Sequence, residues 1–416
     1  MSQKTEEDIK RERYLAEKNS ETVVCPFNPA HVVKKRKFNK HKAGCPDNPA
    51  KNPTFGKSYM NPNCNIDLTL FEAKVERNIR TETLLPFLDN SFFDGFCDES
   101  KKSQFYTCKC STLTLNLFTE SALRVLVQRV YTLYTNVKEM YNDILAPIDE
   151  NVDLNCQEEK VELQRYEVSM PDGWEFPSKK HTEQCLSIVS HLIEKNILKP
   201  NESQEVIESG AGSGMLSAYY SLSKRSAPSK FYMVDCMKGM RKKYDRFMRR
   251  YGDTVFRVPA DLRNVDGLTL VQSHEQASCH STNICVIGKH LCGSATDMAL
   301  QMAVKCKDRL GGIGIALCCH AKGDGHYDCI ADFFLSRGIS VIELTAIHRL
   351  TSWALTVDNL DTEWKKEQVI VAEMCRNIIN VARIVWLKSQ SNIHQAGLVK
   401  YCKKSMSPEN VLLWAN

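Results

Sequence analysis

The chain has 416 residues, of which 43% are hydrophobic and 25% charged, with a formal net charge of +5. This is an ordinary globular composition. It contains no apolar run long enough to span a bilayer, and its first twenty residues lack the apolar core of a secretory signal. The eighteen Cys are therefore expected to be mostly reduced thiols in a cytoplasmic or nuclear protein with no membrane partner.

In chain order, residues 1–21 read as a charged tail and 22–50 as a small metal module. Cys25, His31, His41 and Cys45 are spaced C-x5-H-x9-H-x3-C among Pro, Asn and Gly. Two thiolates and two imidazoles make a closed tetrahedral set for structural zinc. So short a segment buries little apolar surface, so the metal would supply its folding energy. Lys34, Lys35, Arg36, Lys37, Lys40 and Lys42 lie between the ligands with no acid among them. Such a surface suits a phosphate backbone.

Residues 51–65, rich in Pro, Asn and Gly, read as a linker, and 66–145 as largely helical; linker and helical region together run to about 165. Leu123, Leu126, Val127, Val130, Leu133 and Tyr134 follow a helical stripe and read as packing surface. Cys108 and Cys110 have no second pair at finger spacing and are not read as a metal site. Residues 147–162 are acidic and read as a boundary.

From 166 to the C-terminus the pattern alternates. Strands are predicted at 205–209, 230–235, 254–258, 283–288, 312–318, 339–345 and 381–387, with helices such as 180–196, 237–250 and 294–307 between them. Short β-rich runs separated by helices predict an α/β fold, a parallel Rossmann-like sheet covered on both faces.

The first of these strands runs into Glu208-Ser209-Gly210-Ala211-Gly212-Ser213-Gly214. Glycine suits a sharp turn that a ligand must approach closely. Asp235 closes the next strand, where an acid can accept hydrogen bonds from ribose hydroxyls, and Asp261 follows the third, where an adenine edge would lie. The spacing departs from the G-x-G-x-x-G dinucleotide turn. It favours S-adenosylmethionine, which has no phosphate to cradle, over a nicotinamide.

Ligands of an open α/β sheet lie beyond the carboxyl ends of its strands. Two segments fall there: Lys289-His290-Leu291-Cys292-Gly293, followed by Asp297, and Cys318-Cys319-His320. Methyl transfer to a hydroxyl needs close approach and a base or cation as the proton leaves. Lys289 and His290 are the catalytic candidates, and the sequence does not choose between them. Asp297 is a weaker candidate that would orient a neighbour or cap a helix. Cys318 reads as buried filler, and a second zinc from Cys292, Cys319 and His320 is the less favoured reading. Residues 238–250 carry seven Lys or Arg and one acid, Asp245. As a helix after Asp235 they would offer a second cationic face to RNA.

These pieces resemble the tRNA 2′-O-methyltransferases that modify nucleotide 4 of the acceptor stem. The matching residues are Cys25, His31, His41 and Cys45, the turn from Glu208 to Gly214, KHLCGSATDMAL at 289–300, ALCCH at 316–320, TSWAL at 351–355 and the terminal KYCKKSMSPENVLLWA. The finger is also similar to those of spliceosomal and gametocyte-specific proteins. The resemblance implies a class I methyltransferase sheet, S-adenosylmethionine and zinc as cofactors, and tRNA as partner, with no small-molecule substrate beyond the methyl donor. The ribose 2′-hydroxyl as acceptor rests on the resemblance alone. Three departures stand out. Nothing before Cys25 supplies the CCCH finger common in the family. Ala321-Lys322-Gly323-Asp324 replaces a further His and then Cys and Trp. Ser209 and Ser213 stand where Phe and Arg are frequent. The competing readings are a non-catalytic zinc-finger RNA-binding protein with a degenerate sheet, and an enzyme acting on a base or small molecule.

Overall fold

A computed structural model describes residues 22–66, 114–148 and 179–416, apart from short stretches that include 28–31, 237–242, 276–282 and 324–328. The expected charged tail, Cys108 and Cys110, and most of the acidic boundary lie outside the described residues.

At the N-terminal end, β1 (Thr22–Val24) pairs antiparallel with β2 (Val32–Lys34), and α1 (Phe38–Gly44) follows. The principal sheet has seven strands. They are β3 (Glu205–Ser209), β4 (Lys230–Val234), β5 (Thr254–Val258), β6 (Ile284–Lys289), β7 (Leu310–Ala316), β8 (Ala396–Lys400) and β9 (Val411–Ala415), in the order β5-β4-β3-β6-β7-β9-β8. The first five are parallel, and β9 runs antiparallel to both β7 and β8. Every residue of β3 and β6 is buried. Continuous apolar runs of this kind belong to parallel strands covered on both faces.

The covering helices include α2 (Glu120–Met140), α3 (Lys179–Glu194), α4 (Met215–Ser223), α5 (Lys243–Arg250), α6 (Gly267–Gln272), α7 (Ala295–Val304), α8 (Val341–Leu350) and α9 (Glu363–Lys388). Two buried clusters result, one on each side of the sheet. One takes Ile188, Leu192, Tyr220 and Phe247; the other takes Leu270, Leu300, Ile347 and Ile378. This is the α/β architecture that the sequence implies. The stripe on α2 is packing surface: Leu126, Val127, Val130 and Leu133 are buried, and α2 lies against α9.

Two predicted strands are helices. Residues 339–345 enter α8 and 381–387 lie inside α9. Short β-branched windows do not separate strand from buried helix, and length decides. In α9 the buried Val371, Ala372, Cys375, Ile378, Ile379 and Ala382 recur at helical spacing over 26 residues. The sheet instead finishes with the hairpin β8–β9.

Residues 59–65, expected as part of a linker, are docked. Asn61 N donates to Asn264 O (2.8 Å), Asn65 N to Arg263 O (3.0 Å), and Asp266 N to Tyr59 O (2.9 Å). Asn65 Nδ2 donates to the carbonyls of Leu262 and Val265, each at 2.7 Å. The docked segment therefore lies against the loop that follows β5.

Asp297, in the first turn of α7, orients a neighbour. It is fully buried and bridged by Arg383 of α9, Nη2 to Oδ2 at 2.7 Å and Nε to Oδ1 at 3.1 Å. Removing one partner of such a pair strands a charge in the core. Asp297→Ala is expected to destabilise the protein by about 3–5 kcal/mol, and Asp297→Leu combined with Arg383→Met by much less. Urea unfolding of the two variants checks this.

Candidate active site and metal centre

Strand order reverses between β3 and β6, and the crevice at such a switch point is where ligands of α/β sheets bind. In the pairing register Ser209 stands opposite Gly288, so the glycine turn and the Lys289-His290 segment leave the sheet at the same level.

Gly210, Gly212 and Gly214 have φ of 62°, 50° and 86°, the left-handed region that favours glycine. A Cβ on Gly210 would stand 2.7 Å from Leu291 Cδ2, and one on Gly214 3.0 Å from Arg257 Nη2. The turn is braced from both sides. Asp235, at the end of β4, accepts from Gly212 N at 2.7 Å. Arg257 of β5 donates to the carbonyls of Gly212 and of Ser213, the latter at 2.8 Å. Arg257 is itself held by Asp245 of α5, with Nε 3.0 Å from Oδ2. The Arg257–Asp245 brace was not anticipated. Its signals were an Arg inside an apolar strand and one acid in a run of cations.

Glu208 is buried and accepts from Ser217 N at 3.1 Å. Burial pushes its carboxyl up to about 7, although Ser217 and Arg257 pull the other way. Asp261 follows β5, accepts from Arg263 N at 2.9 Å and pairs with the Arg263 guanidinium at 2.8 Å. Glu208, Asp235 and Asp261 thus line the ends of three adjacent strands. The Gly212 N–H is spent on a carboxylate, and the rim is acidic, so the turn is a poor seat for pyrophosphate. It suits a phosphate-free, hydroxyl-bearing, cationic ligand, and S-adenosylmethionine fits that description.

Lys289 and His290 differ in setting. Lys289 is 7% exposed, and its Nζ donates to Cys185 Sγ of α3 at 3.6 Å. His290 is exposed and has φ of 65°, an uncommon backbone for a non-glycine residue. Partial burial, with Lys289 and His181 beside it, lowers its pKa. Around physiological pH its ring is neutral and able to accept a proton.

His320 does not join Cys292 and Cys319 in a metal set. Its Nε2 is 2.8 Å from Asn380 Oδ1, and its Nδ1 faces Glu409 at 3.4 Å. Burial would raise Glu409, but His320, Arg376 and Arg383 together hold its carboxyl below the usual range. Cys318, expected as filler, instead gathers with Cys292 and Cys319, all three sulfurs lying within 4.8 Å of one another. Hydrogen bonding from Cys318 holds the Cys292 thiol down to about 5 against its partial burial, while the Cys318 thiol is pushed up.

In the N-terminal module, Cys25 Sγ and Cys45 Sγ are 3.6 Å apart, and a His41 ring nitrogen lies within 4.8 Å of both. His31, the fourth expected ligand, lies outside the described residues. Two buried thiols and an imidazole at this spacing fit zinc. Lys34, Lys35, Arg36, Lys37, Lys40 and Lys42 are all exposed around it. On α5, Tyr244, Phe247 and Met248 are buried while Arg246, Arg249 and Arg250 are exposed.

The Glu208 shift has a measurable consequence. Its carboxyl titrates at 4.5 unfolded and about 7 folded, so the fold favours the neutral acid. That contribution is complete below pH 4.5 and is lost as pH rises through 7. Glu208→Gln removes the dependence. Between pH 5 and pH 8 its unfolding free energy is expected to gain roughly 3 kcal/mol relative to the unsubstituted protein, read by urea unfolding at each pH.

Comparison with known proteins follows the same division of the chain. The family described as Methyltransferase TRM13 matches residues 183–370 and 359–416, more than half of the chain, and the U11-48K-like CHHC zinc finger matches 22–46. Relatives called tRNA:m(4)X modification enzyme TRM13 include one from Yarrowia lipolytica, 25% identical over 65% of this chain and 66% of that protein. The homolog from Dictyostelium discoideum is 23% identical over 82% of this chain and 57% of its own length. The Saccharomyces cerevisiae protein is 22% identical over 96% of this chain and 85% of its own length. The chain therefore spans less than two thirds of the first two. Among solved structures, the plantazolicin methyltransferase BpumL in complex with SAH aligns with 70% of this chain and 98% of its own at 7% identity, with a TM-score of 0.29. The family match covers the sheet, the glycine turn and both strand-end segments, and on it the chain belongs to the TRM13 methyltransferase family.

Proposed function

We propose that this protein is an S-adenosylmethionine-dependent tRNA methyltransferase acting on a ribose 2′-hydroxyl of nucleotide 4 in the acceptor stem. The observation that carries the reading is the meeting, at the switch point, of an acid-rimmed glycine turn with Lys289-His290. The relatives' name supports tRNA and position 4, and the resemblance in sequence supports the sugar hydroxyl. No helix among the described residues is long and apolar enough to cross a membrane. A tRNA substrate fits work in cytoplasm or nucleus.

When bound, the donor supplies an electrophilic methyl group. Glu208 and the glycine backbone would hold its amino-acid end, Asp235 would accept from its ribose hydroxyls, and Asp261 would lie on the adenine side. His290, exposed at the lip and neutral, takes the proton from the attacking hydroxyl. Lys289, the buried cation next to it, would steady the negative charge that develops on that oxygen. The finger's cations and the exposed Arg246, Arg249 and Arg250 hold phosphates of the stem. A double-stranded RNA is recognised largely by shape, phosphates and 2′-hydroxyls.

Incubation with labelled donor and unmodified tRNA, followed by nucleoside mapping, is expected to place label on the sugar of nucleotide 4. Label on a base alone would reject the reading. Calorimetry that finds no donor binding to the folded protein would favour the non-catalytic alternative. His290→Ala is expected to lower kcat by about 10²–10⁴ with little change in donor KM. The acid limb of the rate should fall below pH 6.5, because the base works only when deprotonated and its pKa is lowered from 6.5.

The finger makes a separate expectation. Replacing Lys34, Lys35, Arg36 and Lys37 with Ala should weaken tRNA binding across sequences alike. It should also reduce the salt slope of log K by about one for each phosphate no longer neutralised. Filter binding at several salt concentrations reads both.

A further inference from the structure

The trio Cys292, Cys318 and Cys319 is not needed by the proposed methyl transfer. Its sulfurs come from two loops, one after β6 and one after β7, yet lie within 4.8 Å of one another. Two features of the backbone create this. Cys319 adopts a left-handed conformation, φ 41° and ψ 43°. In extended chain, successive side chains point to opposite faces. The left-handed residue breaks that alternation and lets two consecutive thiols converge. Non-glycine residues in this region are strained and persist where the surroundings enforce them. The second feature is Gly293, at φ 59°, where a Cβ would run into the backbone of Lys322. The two loops are thus packed backbone against backbone, and the packing sets Cys292 over the Cys318-Cys319 pair.

Filler thiols need no such arrangement, since a small apolar side chain is placed equally well by an unstrained backbone. No disulfide links these cysteines. Cys292 and Cys319 are half-buried and Cys318 is buried, so the cluster has a protein side and an open side.

The geometry points to a second zinc site in which Cys292, Cys318 and Cys319 are three thiolate ligands and the fourth position is open to the cleft. Tetrahedral zinc with bonds of about 2.3 Å places its sulfurs about 3.8 Å apart, so the trio need contract by no more than about 1 Å. Three protein ligands with one open position is the pattern of an accessible rather than a closed site. Lys322, in the loop that begins at His320, supplies a nearby cation for a site that carries net negative charge. The ion would fasten the loop bearing His290 to the loop after β7. This site is separate from the finger and does not depend on the proposed methyl transfer.

The test is the zinc content of the full chain, purified under reducing conditions, supplemented with zinc and dialysed, measured by plasma mass spectrometry. Two equivalents per chain are expected. Cys292→Ser and Cys319→Ser should each lose one equivalent, as should Cys25→Ser, while Cys25→Ser combined with Cys292→Ser should lose both. Circular dichroism establishes that each variant is folded. Cobalt loading of the unsubstituted protein gives a reading that needs no folded variant, with two successive sulfur-to-metal absorption steps expected. A single equivalent that Cys25→Ser removes, a content of two that Cys292→Ser and Cys319→Ser leave unchanged, or a single cobalt step would each overturn the proposal.

Discussion

One packing contact at the switch point governs the substrate side of this protein. Leu291 occupies the space that a Cβ on Gly210 or on Gly288 would need, 2.7 Å away in both cases. Because Ser209 and Gly288 are paired in register, the turn after β3 and the loop after β6 are pressed together through this leucine. A side chain at either glycine would require Leu291 to shift. His290 and Cys292 flank Leu291, so one contact bears on both the glycine turn and the segment that carries them.

Buried ion pairs then hold the loops to distant parts of the chain. Asp245–Arg257 fixes the glycine turn, Asp297–Arg383 fixes α7 to α9, and Glu409 reaches His320 and Arg376 from just before β9. Each such pair costs desolvation and gives little net stability compared with apolar packing. Their value here is positional. Arg376 and Arg383 lie on α9 and Glu409 precedes the last strand, so the segment from 363 onward acts as a splint for strand ends formed earlier in the chain.

The parallel strands were legible because burial on both faces writes an unbroken apolar run, and the glycine turn because its chemistry is local. The windows 339–345 and 381–387 are short and β-branched, and over seven residues a strand and a buried helix look alike. Only the flanks separate them, and the stripe of α9 extends well beyond 381–387. The hairpin β8–β9 escaped because Gly397 and Lys400 dilute its first strand. Residues 401–410 do carry turn residues, Ser407-Pro408 and Asn410, but the ten-residue connection hides the pairing of the strands on either side. What escaped at the site were partnerships across sequence, Arg257 with Asp245 and Asp297 with Arg383. The placement of Cys318 escaped for a different reason: a left-handed residue other than glycine leaves no trace in composition.

The docking of residues 59–65 has a mechanical corollary. Cys45 closes the finger and Tyr59, fourteen residues on, is already hydrogen-bonded beside the loop after β5. Fully stretched, that tether reaches about 50 Å. If the finger holds RNA as proposed, that RNA stays within reach of the crevice, and its second encounter becomes a search within a small sphere rather than through bulk solution.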